Sequence, residues 1–99
     1  MGKPTEELSL QHQRSEECPT EIHLRRLTVD DALFRLERYL NNAYLADIPT
    51  VLVIHGKGTG TLRQAVRDEL KNHPLVKSFR RAELEDGGDG ATIVELADQ

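Results

Sequence analysis

An α/β fold, a mixed four-stranded sheet carrying two helices in the order β-α-β-α-β-β, is predicted for this chain by three observations. Apolar residues switch along the sequence between the alternation of a half-buried strand and the three-and-four spacing of an amphipathic helix. The apolar run Val51-Leu52-Val53-Ile54 leads directly into His55-Gly56-Lys57-Gly58-Thr59-Gly60, a glycine-rich turn that opens a second helical pattern. Late in the chain, Glu85-Asp86-Gly87-Gly88-Asp89-Gly90 separates two strand-like runs with the turn chemistry of a hairpin.

The first twenty residues are rich in Glu, Gln, Ser and Thr and show no sustained period, so 1–20 reads as a flexible tail and 21–99 as the folded domain. Ile22-His23-Leu24-Arg25 alternates as a short strand does. Thr28 is placed as an N-cap, with Asp31 where a carboxylate can return a hydrogen bond. Val29, Ala32, Leu33, Leu36, Leu40 and Ala43 then give a helix to about Ala46, and Pro49 separates it from the next strand. Val51 to Ile54 has no polar interruption, as expected of a central strand covered on both faces. Thr61 and Gln64 repeat the capping-box pattern, and Leu62, Ala65, Val66 and Leu70 form the buried stripe of a second helix. That helix is expected to end near Asn72, because Pro74 disfavours helix in the residue before it. Strands follow over Val76 to Arg81 and Thr92 to Leu96, which makes two right-handed crossovers and an antiparallel return.

Ninety-nine residues suit one small domain with little surplus stability. Apolar residues are 37% and charged residues 30%, the balance of a soluble globule with a charged surface. The longest apolar run is too short to span a bilayer and the N-terminus lacks the regions of a signal peptide, so a cytoplasmic protein without membrane partners is expected. Cys18 is the one cysteine, which excludes an internal disulfide and a cysteine-based zinc site. Four aromatic residues and no Trp make base stacking a poor first guess.

A net charge of −4 argues against nucleic acid until its distribution is considered. Between His55 and Arg81 there are seven Lys or Arg against Asp68 and Glu69, whereas the stretch from Glu83 onward carries six acids and no base. Positive charge is therefore local to the glycine loop and the elements after it. Arg63, Arg67 and Lys71 recur every four residues and form one stripe on the second helix. Gly56, Gly58 and Gly60 let backbone N–H groups approach a ligand closely, and the helix that follows adds unpaired N–H groups suited to phosphate. His55 adds a proton-transfer group and Lys57 a cation.

Other glycine motifs fail here. A P-loop would need a glycine five residues before Gly56 and Ser or Thr after Lys57; a dinucleotide fingerprint would need glycine at Thr61. An esterase would need a Gly-x-Ser-x-Gly elbow, which is absent from the sequence. His23, His73 and Asp89 show no metal-ligand spacing, so no cofactor is expected; a weakly held Mg²⁺ shared with substrate phosphates stays open.

From about Glu21 to Leu96 the chain resembles the Smr (small MutS-related) domain, and its length fits a stand-alone member. The resemblance rests on Leu27-Thr28-Val29-Asp30-Asp31-Ala32-Leu33, on His55-Gly56-Lys57-Gly58-Thr59-Gly60 as the signature His-Gly-x-Gly-x-Gly, and on Leu62-Arg63 after it. His73-Pro74-Leu75-Val76 and Gly87-Gly88-Asp89-Gly90-Ala91-Thr92 continue it. It implies a fold similar to the C-terminal domain of translation initiation factor 3. It also implies membership of a group that includes nucleases of DNA or RNA and modules that bind nucleic acid or ribosomes. The family's first motif, Leu-Asp-x-His/Arg-Gly, here reads Ile22-His23-Leu24-Arg25-Arg26, so His23 replaces the aspartate and Arg26 the glycine while Arg25 keeps the basic position. Thr50 stands where some nuclease members carry an acid.

Two functions follow. In an endonuclease, His55 would move a proton while Lys57, Arg25 and loop amides stabilise the phosphorane charge. In a non-catalytic module, Gly56, Gly58, Gly60, Arg63, Arg67 and Lys71 would grip DNA or RNA without cutting it. A ribosome partner stays open, as does a protein partner for the acidic tail or C-terminus, for which the sequence supplies no anchor residue; the oligomeric state is open as well.

Overall fold

The computed structural model describes residues 18–98, so the expected tail, apart from its last three residues, lies outside the described residues. Strand β1 is Glu21–His23, helix α1 Val29–Leu45, β2 Thr50–Ile54, helix α2 Thr61–Lys71, β3 Val76–Arg81 and β4 Ala91–Leu96. The segment expected to be a hairpin turn forms two short 3-10 turns, Leu84–Asp86 and Gly88–Gly90.

The sheet order is β1-β2-β4-β3, with β1 parallel to β2 and β4 antiparallel to both its neighbours. Strands β1, β2 and β3 therefore all run one way and β4 runs back between β2 and β3. One end of the sheet consequently gathers three connections: the residues after β1, the glycine loop after β2, and the 3-10 turn that precedes β4.

Ala32, Leu36, Leu40 and Ala43 of α1 and Val66 and Leu70 of α2 pack with Leu24, Val51, Val53, Val94 and Leu96 into a single core. Both helices lie on the same face of the sheet. On the other face Leu52, Ile54 and Ile93 are half-buried, which corrects the expectation that β2 is covered on both sides. The uninterrupted apolar run instead reflects a row across the open face, where Leu52 pairs with Ile93 and each side chain is sheltered by its cross-strand neighbour.

Thr28 caps α1 as expected, its Oγ1 accepting from the Asp31 amide at 3.1 Å. The second capping box does not form. The chain enters α2 through Gly60 at φ 89°, which puts Thr61 inside the first turn, and the Gln64 side chain donates along the helix to Asp68 at 2.9 Å. His73 is structural: its Nδ1 accepts from the Leu75 amide at 3.1 Å, so its Nε2–H donates to Glu37 at 2.7 Å, tying the start of β3 to α1.

β1 ends two residues earlier than predicted. Leu24 still donates to the Ile54 carbonyl at 2.8 Å, and the chain then turns at Arg26, which has φ 68°. A left-handed conformation costs a non-glycine residue about 1–2 kcal/mol, while glycine adds about 0.5–1 kcal/mol of backbone entropy to be lost on folding. Arg26→Gly is therefore expected to raise stability by about 0.5–1 kcal/mol. The measurement is the urea midpoint at unchanged slope; a lower midpoint would show that the Arg26 side chain holds the turn.

Candidate nucleic-acid interface

His55 continues the inward alternation of Val51 and Val53 and is only 3% exposed. Its amide and that of Gly56 both donate to the Gly90 carbonyl, at 3.0 and 2.8 Å, so the 3-10 turn before β4 holds the glycine loop from behind. The imidazole is held at both nitrogens. Nδ1 lies 3.0 Å from the Gly56 carbonyl oxygen, which can only accept, so in the neutral ring Nδ1 carries the proton and Nε2 accepts from the buried Thr92 hydroxyl at 2.9 Å. Burial holds the His55 pKa below the ordinary histidine range against the opposing pull of the Gly56 hydrogen bond, and the charges of Arg67 and Arg63 add to the lowering. His55 is a latch held at both ring nitrogens, and its surroundings favour the neutral ring.

Two glycines owe their identity to geometry. Gly56 has φ 85°, and a Cβ there would stand 3.0 Å from Arg25 Cγ, so the stem of Arg25 crosses directly over the loop. Gly60, at φ 89°, is the turn into α2, and the Arg63 guanidinium reaches within 3.3 Å of the place its Cβ would occupy. Gly56 and Gly60 spend their amides inside the fold, Gly60 on the Lys57 carbonyl at 3.1 Å. The amides of Lys57, Gly58, Thr59, Leu62 and Arg63 donate to no partner among the described residues.

These groups face a cleft of about 370 Å³, walled by Arg26, Leu27, Thr28 and Val29 on one side and by His55 through Arg63 on the other. No carboxylate lines it, whereas Arg26, Lys57 and Arg63 do. Arg67 stands close enough to His55 to affect its titration, and its buried Nε has no hydrogen-bond partner among the described residues. A row of free amides inside a cationic rim attracts an anion with several acceptor oxygens.

Of the residues expected at the site, His55, Lys57, Gly56, Gly58, Gly60 and Arg63 share this cleft, with Arg25 over Gly56 and Arg67 beside His55. Lys71 does not join them; it is exposed farther along α2, with Asp68 at 3.9 Å. Arg80 and Arg81 face Glu95 and Asp89, at 3.5 and 3.3 Å, and extend no open cationic track. His23 pairs with Glu21 at 3.1 Å and lies outside the lining of the cleft, so the position at which an aspartate was expected from the resemblance is not a cleft position. Thr50 opens β2 at the end away from the loop, about 13 Å from Ile54 along the strand.

Sequence reasoning missed Thr92 and Arg26 as site residues. Thr92 becomes visible only through the β2–β4 register, which pairs it with Val53; Arg26 was signalled by its place next to Arg25. The donor set does not suit a resident Mg²⁺, which takes oxygen ligands, because the cleft offers no carboxylate and both His55 nitrogens are engaged. Among the described residues no group of three or more His, Cys, Asp or Glu could hold a metal ion, and no helix is long and apolar enough to cross a membrane.

The sequence profile of the Smr domain matches residues 22–97. The chain belongs to the Smr domain family. The crystal structure of the Smr domain of Thermus thermophilus MutS2 superposes with a TM-score of 0.78 at 42% identity, covering 80% of this chain and 99% of that one. YdaL, a stand-alone small MutS-related protein from Escherichia coli, gives 0.76 at 26% identity, covering 80% and 65%. The Endonuclease MutS2 of Thermomicrobium roseum is 58% identical over 76 residues, which are 77% of this chain and 10% of that protein. The chain thus spans about a tenth of the length of the curated relatives it matches. As an Smr domain it has two helices on a four-stranded mixed sheet, with the loop that carries Gly56, Gly58 and Gly60 between β2 and α2 and Arg26 in the lining of the cleft.

Proposed function

We propose that this Smr domain binds the sugar-phosphate backbone of DNA or RNA in the cleft at its glycine loop and cleaves a phosphodiester there. The observation that carries the reading is the set of amides at Lys57, Gly58, Thr59, Leu62 and Arg63, unengaged among the described residues and set in a cleft whose lining contains cations and no carboxylate. Phosphate oxygens would accept from these amides while Lys57, Arg63 and Arg25 balance the charge, and the same groups would stabilise the extra negative charge of a pentavalent transition state. Two features support cleavage: a relative named Endonuclease MutS2 is 58% identical over 76 residues, and His23, which stands where the resembled motif has an aspartate, lies outside the cleft lining. A cytoplasmic location accords with such a substrate.

A second reading is favoured by one observation. Both ring nitrogens of His55 are committed, to Gly56 and to Thr92, so in this arrangement no nitrogen is free to take a proton from a nucleophile. If the latch stays closed when substrate binds, the domain holds nucleic acid without cutting it.

Incubation of purified protein with supercoiled plasmid and with structured RNA, with and without Mg²⁺, beside salt-dependent binding of the same substrates, separates the two. Cleavage that Lys57→Ala reduces about tenfold or more supports the first reading. Salt-sensitive binding with no cleavage supports the second, and absence of binding at about 0.05 M salt overturns both.

A further inference from the structure

The α1 helix carries a second concavity that the glycine loop does not use. Ile22 of the edge strand β1 and Asp31, Phe34, Arg35, Arg38, Tyr39 and Asn42 of α1 enclose a groove of about 550 Å³. Phe34 is 63% exposed at its edge, an unusual place for a phenylalanine, and the Arg38 guanidinium sits 5.7 Å from its ring centroid. Neither Arg35 nor Arg38 has an ion-pair partner among the described residues. The groove and the phosphate cleft share a helix. Thr28 lines the cleft, and Thr28, Asp31, Arg35, Arg38 and Asn42 recur at spacings of three and four, which places them on one face.

We propose that this groove is a stacking site for an unpaired nucleobase of the strand whose phosphate lies in the glycine-loop cleft. The inference rests on the nucleic-acid reading of that cleft and adds a preference for single-stranded or locally unpaired substrate. The ring of Phe34 supplies a π-face, and Arg38, whose guanidinium stands over that ring, adds a planar cation on which a base can stack. Arg35, which lines the groove and has no ion-pair partner among the described residues, attracts a flanking phosphate. Asp31 argues for a base rather than a phosphate at this end of the groove, because its carboxylate repels phosphate but accepts from an exocyclic amino group, and the Asn42 amide can both donate and accept. The spacing is suitable: six helical residues from Thr28 to Phe34 rise about 9 Å, which two or three stacked nucleotides cover at about 3.4 Å each. In a duplex the base faces are already stacked, so this contact is available only where a strand is open.

Fluorescence anisotropy at about 0.1 M salt with a labelled single-stranded oligonucleotide, as DNA and as RNA, and with its blunt duplex tests the site. Phe34→Leu and Phe34→Ala are expected to weaken single-strand binding about tenfold and duplex binding less than about twofold, with Phe34→Tyr close to wild type. Because the side chain is exposed, unchanged circular dichroism is expected in all three. Wild-type affinity for the single strand in Phe34→Leu, or equal losses on strand and duplex, overturns the stacking site. Lys57→Ala separates the two failures. If it weakens both substrates while Phe34→Leu does not weaken the single strand, only the stacking site is wrong; if it weakens neither, the cleft reading falls and the stacking site with it.

Discussion

His55→Ala is expected to cost about 2–4 kcal/mol of stability, because it opens a cavity and strands a buried hydroxyl. His55 is 3% exposed, its ring fills the junction between β2 and β4, and it bonds the Thr92 hydroxyl and the Gly56 carbonyl. For a domain of this size that loss corresponds to a fall of about 10–30 °C in the thermal midpoint. Binding should fall with it, since Gly56 begins the loop that presents the free amides. His55→Gln keeps a polar side chain and divides the two roles. A residue that only positions the loop predicts parallel losses of binding and cleavage in His55→Gln, whereas a proton carrier predicts retained binding with cleavage abolished. The pH dependence follows from the lowered His55 pKa. The unfolded chain takes up the proton more readily than the folded one, so the stabilisation is complete above the ordinary histidine value of about 6.5 and is lost as pH falls through the lower folded value. The midpoint of wild type should therefore drop more steeply below about pH 6.5 than that of His55→Gln. Parallel curves would show that His55 is not held neutral in the fold.

Arg63→Ala combined with Arg67→Ala is expected to give the largest loss of binding without unfolding. Arg63 lines the cleft with its guanidinium beside Gly60; Arg67 follows one turn later, and both charges are felt at His55. Removing one cation from the cleft and a second beside it should weaken binding about 10- to 100-fold near 0.1 M salt and reduce the slope of log affinity against log salt by about one to two. An independent readout lies in the imidazole. With both positive charges gone, the His55 pKa should rise towards the ordinary value, which the NMR titration of its ring protons follows. Lys71→Ala serves as the comparison, because Lys71 lies outside the cleft beside Asp68; an equal loss there would mean that the whole α2 stripe, and not the cleft, carries the contact.

Helix positions were legible in the sequence because the pattern that marks a helix is local. Val29 to Ala43 and Leu62 to Leu70 repeat at the period of the helix they form, and Thr28 caps α1 with its own side chain. The start of α2 differs for an equally local reason: Thr61 and Gln64 have the composition of a capping box, but the left-handed turn at Gly60 starts the helix one residue earlier than that box requires. The absence of a side-chain cap there leaves the Leu62 and Arg63 amides without a partner among the described residues. Nothing in arginine itself signals the positive φ of Arg26; the one hint is the glycine that the resembled motif has at this position.

The chain by itself determined its periodicities, its glycine turn and the cluster of positive charge that follows, because each depends on residues close together in sequence. Tertiary structure alone decided which of these groups meet. β4 runs back between β2 and β3, and that long-range register sets Thr92 against His55 and the Gly90 carbonyl behind the loop. The same packing brings Arg25 over Gly56, commits Arg80 and Arg81 to acids, and leaves Lys71 outside the cleft. Spacing along one helix sets the face a side chain occupies, but what stands opposite it depends on strands dozens of residues away. The histidine that looked most like a free proton carrier in the sequence is, for that reason, a buried latch in the fold.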